Sequence, residues 1–527
     1  MRKNWPKIAF VFILFLALFL RIVALGSFPL GFTADEAAQG YTAWSILKTG
    51  RDEWGKFLPL FPRSFGDFKP PLYTYLIIPS VAIFGLNEFA VRLPSALFGT
   101  LAVLMTFLVV KELFRSLRNV DYFALIASLL LAISPWHLSL SRGAFEANLT
   151  VFFLTAGFYF FLKGVKQSKF LLLAALFFGL NLFSYHSARL VTPLFLGFLI
   201  WWKRKEIFKK KSWGWWVSSF CFFSLFLGGT IWMLLGEGKM RVTDIGIFST
   251  RWQIPKIFIR QYLSYLSGEF FFTKGAGEAT YGMIPGRGVV YLFELPALIF
   301  AFVWLVKKWN NNFLPILVWI TLAPIPAALS FGVGYHANRV AVMMPAIQIL
   351  SAFGLLVSFD YLKKFFQAKL LFSLYSFVFV LSFSFFIYDY FIHSSKILAR
   401  GMGYGWREAM NDINQIEDKY SKIIVSRSFS EPQTFVAFYK KWDPWDFQKQ
   451  SNDWLRYQKD GLKFVDQLGS YSLGKYEFRD IHWQQEKNLK NVVWVVKANE
   501  VPFEESINKR IIPYPDGEPA FLIVEKI

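Results

Sequence analysis

The chain has 527 residues, of which 55% are hydrophobic, 20% aromatic and only 18% charged, with a formal net charge of +21. A soluble protein of this length would need far more polar surface, so the composition points to an integral membrane protein. The positive balance does not signal nucleic acid, because Lys and Arg fall in short clusters between apolar runs and no nucleic-acid motif accompanies them. A single cysteine, Cys221 in an apolar run, argues against disulfides, zinc sites and thiol catalysis.

In chain order, Arg2, Lys3 and Lys7 precede an apolar run over 8–25. That resembles a signal peptide, but about 18 apolar residues can span a bilayer. No small-x-small cleavage site follows, so a retained anchor is expected. Next comes "FTADEAAQGYTAWSILKTG", 32–50, with adjacent carboxylates Asp35 and Glu36. Thr33 and Glu36 fit a capping box, and acids suit a first helical turn. Asp35 stays unassigned, because successive helical residues point about 100° apart.

Further apolar runs follow at 93–110, 122–140, 147–162, 170–184, 188–202, 214–235, 289–306, 313–331, 338–358 and 370–391. The stretch 72–86 begins at Pro70-Pro71 and has about 15 apolar residues, short for a span. Counting it as one would put Lys111, Arg115 and Arg118 outside and reverse every later loop. Placed on the outer surface, it lets the basic clusters alternate as the positive-inside rule requires. Eleven spans are then expected, with the N-terminus cytoplasmic. After His393 the composition turns polar, with short β-branched runs at 422–426, 491–497 and 520–527 and a helical pattern in "GWREAMNDINQIEDKY". The expected organisation is an all-α polytopic membrane domain over 1–393, with a first outer loop at 26–92 carrying juxtamembrane helices and a long outer loop at 236–288. A small extracytoplasmic α/β domain over 394–527 completes it.

This topology gathers the unusual polar residues on one face. The first outer loop has Asp35, Glu36, Lys69 in "DFKPPLY" and Arg92 in "NEFAVRLPSA". The second, "SPWHLSLSRGAFEANLT", has His137, Arg142 and Glu146; the third, "SYHSARL", has Tyr185, His186 and Arg189. The long loop ends in "GAGEATYGMIPGRG" with Tyr281, and the fifth, "GVGYHANRV", has Tyr335, His336 and Arg339. Each has a bland account. Arg142, Arg189 and Arg339 could snorkel to the interface, His137 beside Trp136 could be an aromatic-belt residue, and the Asn148-Leu149-Thr150 sequon at a span start reads as accidental. Such accounts explain each residue singly and their clustering poorly. Two acids, a Lys and several Arg at lipid level suit a phosphorylated lipid substrate. Arg and Lys hold a phosphate, and a carboxylate takes a proton from an incoming hydroxyl or amine.

At these residues the sequence resembles the GT-C class of membrane glycosyltransferases, closest to the protein O-mannosyltransferase and lipid A aminoarabinose transferase-like group. The blocks that carry the likeness are "DEAAQGYTAWSILKTGRDEWGKFLP", "KPPLYTYLIIPSVAIFGLNEFAVRLPSALFGTLAVL", "SPWHLSLSRGAFEANLT" and "YHANRVAVMMPAIQILSAFG". The resemblance implies an inverting transferase of the multi-pass cell membrane. It would take a sugar from a polyprenyl-phosphate carrier on the outer face and pass it to a protein, lipid or glycan acceptor. It implies Asp35, with Glu36 beside it, as the catalytic acidic position. Lys69 and Arg92 match donor-phosphate or architectural positions, and Glu146 matches a second acidic position. Arg189 and Arg339 are further candidates for the phosphate, and Arg142, Tyr185, His186, Tyr281 and His336 for the acceptor or its surroundings. Two departures matter: Phe68 stands where the aminoarabinose transferases have an acid, and Tyr281 where many relatives have a His. No cofactor is required by the sequence, and a divalent cation stays open. The alternative is a transporter or flippase of lipid-linked sugars; charge at span centres and internal repeats would mark one, and neither is seen.

Overall fold

The computed structural model describes residues 5–208, 213–236, 246–247, 252–277, 279–331, 335–502 and 508–526. Parts of the expected long outer loop (237–245, 248–251 and 278), of the fifth outer loop (332–334) and of the Lys- and Arg-rich stretch between the apolar runs 188–202 and 214–235 (209–212) lie outside the described residues. The chain divides into two compact units, Met1–Val23 with Ser95–Ile392, and Ala24–Pro94 with His393–Ile527.

The first unit is helical. Its principal members are α1 (Trp5–Ile22), most of α4 (Glu88–Leu113), α5 (Val120–Ile133), α6 (Pro135–Ser141), α7 (Ala147–Lys166), α8 (Leu171–Leu182) and α9 (Ala188–Trp202). Later helices cover Trp213–Leu235, Glu294–Lys307, Leu314–Leu322, Ala346–Leu362 and Ala368–Tyr388. Every apolar run read from the sequence is thus helical. Among the described residues, six helices are long and apolar enough to cross a membrane, or up to eight if each bent pair is one span. The shortfall from eleven has local causes. The run 122–140 bends by 56° between α5 and α6, where Pro135 opens the second helix, and the run 338–358 bends by 62° before Ala346. Others, such as α9, have only 15 residues.

Close contacts fix the bundle. Gly157 on α7 leaves room for the Phe178 ring of α8, which a Cβ there would meet at 2.7 Å. Gly354 lets the helix Ala346–Leu362 approach the Ala297 carbonyl, 1.8 Å from where a Cβ would stand. Large apolar side chains such as Phe220, Leu225, Phe302, Phe372 and Phe377 are exposed. A bilayer, unlike water, tolerates such a surface once the helices satisfy their own backbone groups.

The second unit joins the first outer loop to the C-terminal segment. Its six-stranded sheet runs β4-β5-β3-β6-β8-β7, with β3 (Lys422–Ser426), β4 (Ser470–Leu473), β5 (Tyr476–Arg479), β6 (Val492–Val496), β7 (Asn508–Pro513) and β8 (Pro519–Lys526). β3 is parallel to β5 and β6, and the remaining pairs are antiparallel. Ile424, Trp483, Val492, Trp494, Leu522 and Val524 form one core. The β-branched runs expected as strands are β3, β6 and β8, and "GWREAMNDINQI" supplies the helix Trp406–Ile416.

Two helices of the loop belong to this unit: α2 (Ala34–Thr49) and α3 (Pro71–Phe84). The stretch 72–86 is therefore a short helix of 14 residues. Gly40 on α2 lies against Phe438, and the Tyr41 hydroxyl donates to the Trp442 carbonyl at 3.1 Å. Gln448 Nε2 donates to Ser45 Oγ, Thr49 Oγ1 and the Asp52 carbonyl at 3.0–3.1 Å. These contacts explain why Ala24–Pro94 groups with His393–Ile527.

Candidate active site

The start of α2 separates the two adjacent acids. Thr33 caps the helix: its Oγ1 accepts the Glu36 amide at 3.2 Å, and Glu36 Oε2 accepts the Thr33 amide at 3.0 Å. Glu36 is thereby turned inward and fully buried. There it meets Arg92, whose Nε donates to Oε1 at 2.8 Å and whose Nη2 donates to Oε2 at 3.2 Å. Arg92 also donates to the carbonyls of Leu25, Pro29 and Gly31. All five guanidinium N–H groups are therefore engaged, on a side chain that is itself fully buried. This is a clamp that closes the 25–31 segment over the start of α2. Both side chains are thus engaged within this clamp.

Asp35 points elsewhere. Its Oδ1 accepts from Lys69 Nζ at 2.6 Å; the Lys69 side chain is 6% exposed and that of Asp35 is 44% exposed. The pair thus has a buried cation and an open carboxylate. Lys69 is held by its surroundings. Its backbone amide donates to the Pro62 carbonyl at 2.9 Å, and β1 (Arg63–Ser64) pairs with β2 (Asp67–Phe68) just before it. Pro71 opens α3 two residues later, and Lys69 Nζ lies 4.8 Å from the Phe65 ring centre. Gly66 takes φ of +114° at the hairpin tip, where a Cβ would stand 2.8 Å from the Lys463 carbonyl.

Sequence reasoning passed over two buried carboxyls nearby. Glu53, in the quoted "DEWGKFLP" block, accepts from the Phe65 amide at 3.0 Å, Trp54 Nε1 at 3.1 Å and Thr42 Oγ1 at 3.3 Å. Burial pushes its carboxyl up to about 8, against the pull of the Phe65 amide. Glu431 is the other, 5% exposed. An acid beside Trp in an apolar chain was the signal for Glu53; Glu431, in a polar segment, carried none.

The remaining candidates lie in the first unit. Arg142 is fully buried, donating to the carbonyls of Leu20 at 2.6 Å and Val23 at 2.8 Å. It answers carbonyls left open at the end of α1 and does not snorkel. His137 is likewise fully buried, with Nδ1 2.9 Å from Arg21 Nη2, and so is no belt residue. Asn148 of the sequon is buried, donating to the Ser95 carbonyl at 2.9 Å. Arg189 Nη1 lies 3.0 Å from His186 Nδ1, and Arg339 donates to Ser330 Oγ and the Phe331 carbonyl. Loops from distant stretches meet here: Trp136 Nε1 donates to the Ala337 carbonyl at 3.1 Å, Asn338 Nδ2 to Tyr185 Oη at 3.2 Å, and the Phe145 and Tyr281 rings lie 5.4 Å apart. The His336 amide donates to Tyr265 Oη at 3.2 Å, and Glu146 opens α7, half-buried. Among the described residues no three His, Cys, Asp or Glu side chains gather as a metal site.

The fold is shared with two solved structures, ArnT and an oligosaccharyltransferase. The structure of ArnT from Cupriavidus metallidurans in the apo state aligns with 99% of this chain and 98% of its own, at a TM-score of 0.54 and 11% identity. The oligosaccharyltransferase of Archaeoglobus fulgidus, tethered with an acceptor peptide, aligns with 83% of this chain and 63% of its own, at 0.50 and 16%. In sequence the chain is mannosyltransferase-like. The family model described as dolichyl-phosphate-mannose-protein mannosyltransferase matches residues 68–232, a stretch that includes Lys69, Arg92, Glu146 and Arg189 but begins after Asp35. YkcB of Bacillus subtilis (strain 168), whose name assigns it provisionally to the mannosyltransferases, is 32% identical over 136 residues, 25% of this chain and 18% of that protein. An uncharacterised protein of Aquifex aeolicus (strain VF5) is 26% identical over 160 residues, 29% of this chain and 30% of that protein. The chain thus spans less than a third of the length of each curated relative.

Proposed function

We propose that this protein is an inverting glycosyltransferase that moves a sugar from a polyprenyl-phosphate carrier to an extracytoplasmic acceptor, with Asp35 as general base and Lys69 as the donor-phosphate cation. The observation that carries the reading is the 2.6 Å pair between buried Lys69 and open Asp35. An ammonium confined in this way is a fixed point charge, suited to a phosphate. A half-exposed carboxylate beside it can reach an acceptor hydroxyl.

In the resting pair Lys69 neutralises Asp35. The donor phosphate competes for the ammonium and releases the carboxylate toward the acceptor. Asp35 then takes the acceptor's proton while the acceptor oxygen attacks the anomeric carbon from the face opposite the phosphate. The carbon–oxygen bond to phosphate breaks, its electrons leave with the polyprenyl phosphate, and Lys69 stabilises that charge. Arg92 and Glu36 hold the helix start that aims Asp35 and take no part in the chemistry.

Support comes from the mannosyltransferase family model, whose matched stretch 68–232 includes Lys69, and from the likeness of the fold to ArnT of Cupriavidus metallidurans, which has been solved bound to undecaprenyl phosphate. The test is to incubate the protein in membranes with labelled polyprenyl-phosphate sugars, with and without chelator. Label should pass to an acceptor with inverted configuration. Recovery of all label on the carrier, merely moved across the bilayer, would mean transport instead.

A further inference from the structure

One side of α2 carries Asp35, Gln39 and Thr42, spaced by four and three residues so that they follow one another along the helix. The two outer members are tied to a single neighbour. Asp35 accepts from Lys69 Nζ at 2.6 Å, and Lys69 Nζ lies 4.8 Å from the Phe65 ring centre. Thr42 Oγ1 donates to Glu53 Oε2 at 3.3 Å, and Glu53 Oε1 accepts the Phe65 amide at 3.0 Å. Gln39 is thus bracketed by two contacts that converge on Phe65, one helical turn from the proposed base. It is fully buried, and among the described residues neither its Oε1 nor its Nε2 has a hydrogen-bond partner. The buried polar side chains around it on α2 do find partners: Glu36 in Arg92, Thr42 in Glu53, and Ser45 in the Arg51 carbonyl at 2.8 Å. Buried polar groups are nearly always satisfied, and one left without a bond bears the full cost of its lost hydration.

From this geometry, and resting on the roles given to Asp35 and Lys69 above, we infer that Gln39 is a specificity-determining residue that holds a hydroxyl of the sugar carried by the donor. A carboxamide has no charge to offer a phosphate, but it has two N–H donors and a carbonyl acceptor. A sugar hydroxyl both donates and accepts, so either end of the amide can engage it. Burial separates the donor side from the acceptor side. The Asp35 side chain is 44% exposed and open to an incoming acceptor, whereas Gln39 is 0% exposed. The enclosed side suits the group that arrives on the carrier with the phosphate held by Lys69. Because burial has already cost the amide its water, a bond to the sugar is gained without exchange on the protein side.

The experiment compares binding of undecaprenyl phosphate with binding of its mannosyl, glucosyl and galactosyl forms to the full-length protein in nanodiscs. The wild type should bind at least one sugar form more tightly than the bare carrier. Gln39→Met should weaken that form by about tenfold, the scale of one lost hydrogen bond, and bind the bare carrier as the wild type does. Its unfolding midpoint should not fall, because Met has a similar shape and no polar group to satisfy. Monodeoxy versions of the preferred form, tested on the wild type, should reveal one hydroxyl whose removal costs the same factor, and Gln39→Met should be insensitive to that removal. The deoxy series on the wild type serves equally where Gln39→Met folds poorly. A lower midpoint with unchanged sugar preference would make Gln39 a fold contact or the seat of a buried water, and would overturn the inference. A wild type that binds no sugar form better than the bare carrier, or that loses less than about twofold with every deoxy version, would overturn it too. If Lys69→Ala still weakens binding of the bare carrier in those cases, only this inference fails. If Lys69→Ala leaves bare-carrier binding unchanged, it is the phosphate role of Lys69 that fails.

Discussion

Replacing Glu36 by Ala separates a structural acid from a chemical one. The substitution strands Arg92 in a site where neither side chain is more than 1% exposed. Breaking a buried pair by removing one partner costs about 3–5 kcal/mol, and the lost half of the capping box adds about 1 kcal/mol. For a unit of roughly 200 residues each kcal/mol moves the unfolding midpoint by about 2–4 °C, so a fall of roughly 10–20 °C is expected. The assay is thermal unfolding of the purified full-length protein, run beside Arg92→Ala and the double variant. The double variant should lose less than the sum of the singles, by about 1–3 kcal/mol, because no charge is then left stranded. A Glu36→Ala protein as stable as the wild type but catalytically dead would refute the reasoning and return Glu36 to the chemistry.

Two more outcomes follow from the same geometry. Glu53 is held near 8 when folded, against 4.5 for an ordinary glutamate. Between these values the unfolded chain gives up a proton that the folded protein keeps, so stability should fall as pH rises from about 4.5 to about 8. Glu53→Gln should flatten that slope in melting curves taken across the range, and an unchanged slope would assign it to other groups. Gly354→Ala places a Cβ 1.8 Å from the Ala297 carbonyl, a backbone atom that cannot rotate away. A loss of about 1–3 kcal/mol or more is expected, read as a lower midpoint; a neutral result would mean that the two helices are not packed so closely.

The parts of this protein legible in its sequence are those decided by neighbours in the chain. The capping box was readable from Thr33-Ala34-Asp35-Glu36, because cap and partner are three residues apart, and both of its halves are formed. Apolar runs gave helices, and β-branched runs gave β3, β6 and β8. The short strands β4, β5 and β7 were missed, lying in mixed polar sequence where alternation is weak. Arginines were read least well. An Arg near a span end looks the same in sequence whether it meets phosphate, solvent or carbonyls. The carbonyls that occupy Arg92 and Arg142 belong to residues 61–67 and 119–122 positions away. The length of a span was no better encoded, because hydropathy does not register the bends before Pro135 and Ala346.

The most direct measurement pairs donor binding with single-turnover sugar transfer in Asp35→Asn. A carboxamide is nearly isosteric and can still face Lys69, so fold and donor binding should persist. Turnover should fall by about 10²–10⁴-fold, the usual contribution of a positioned base. An Asp35→Asn protein that transfers sugar at the wild-type rate would contradict the assignment of Asp35 as the base.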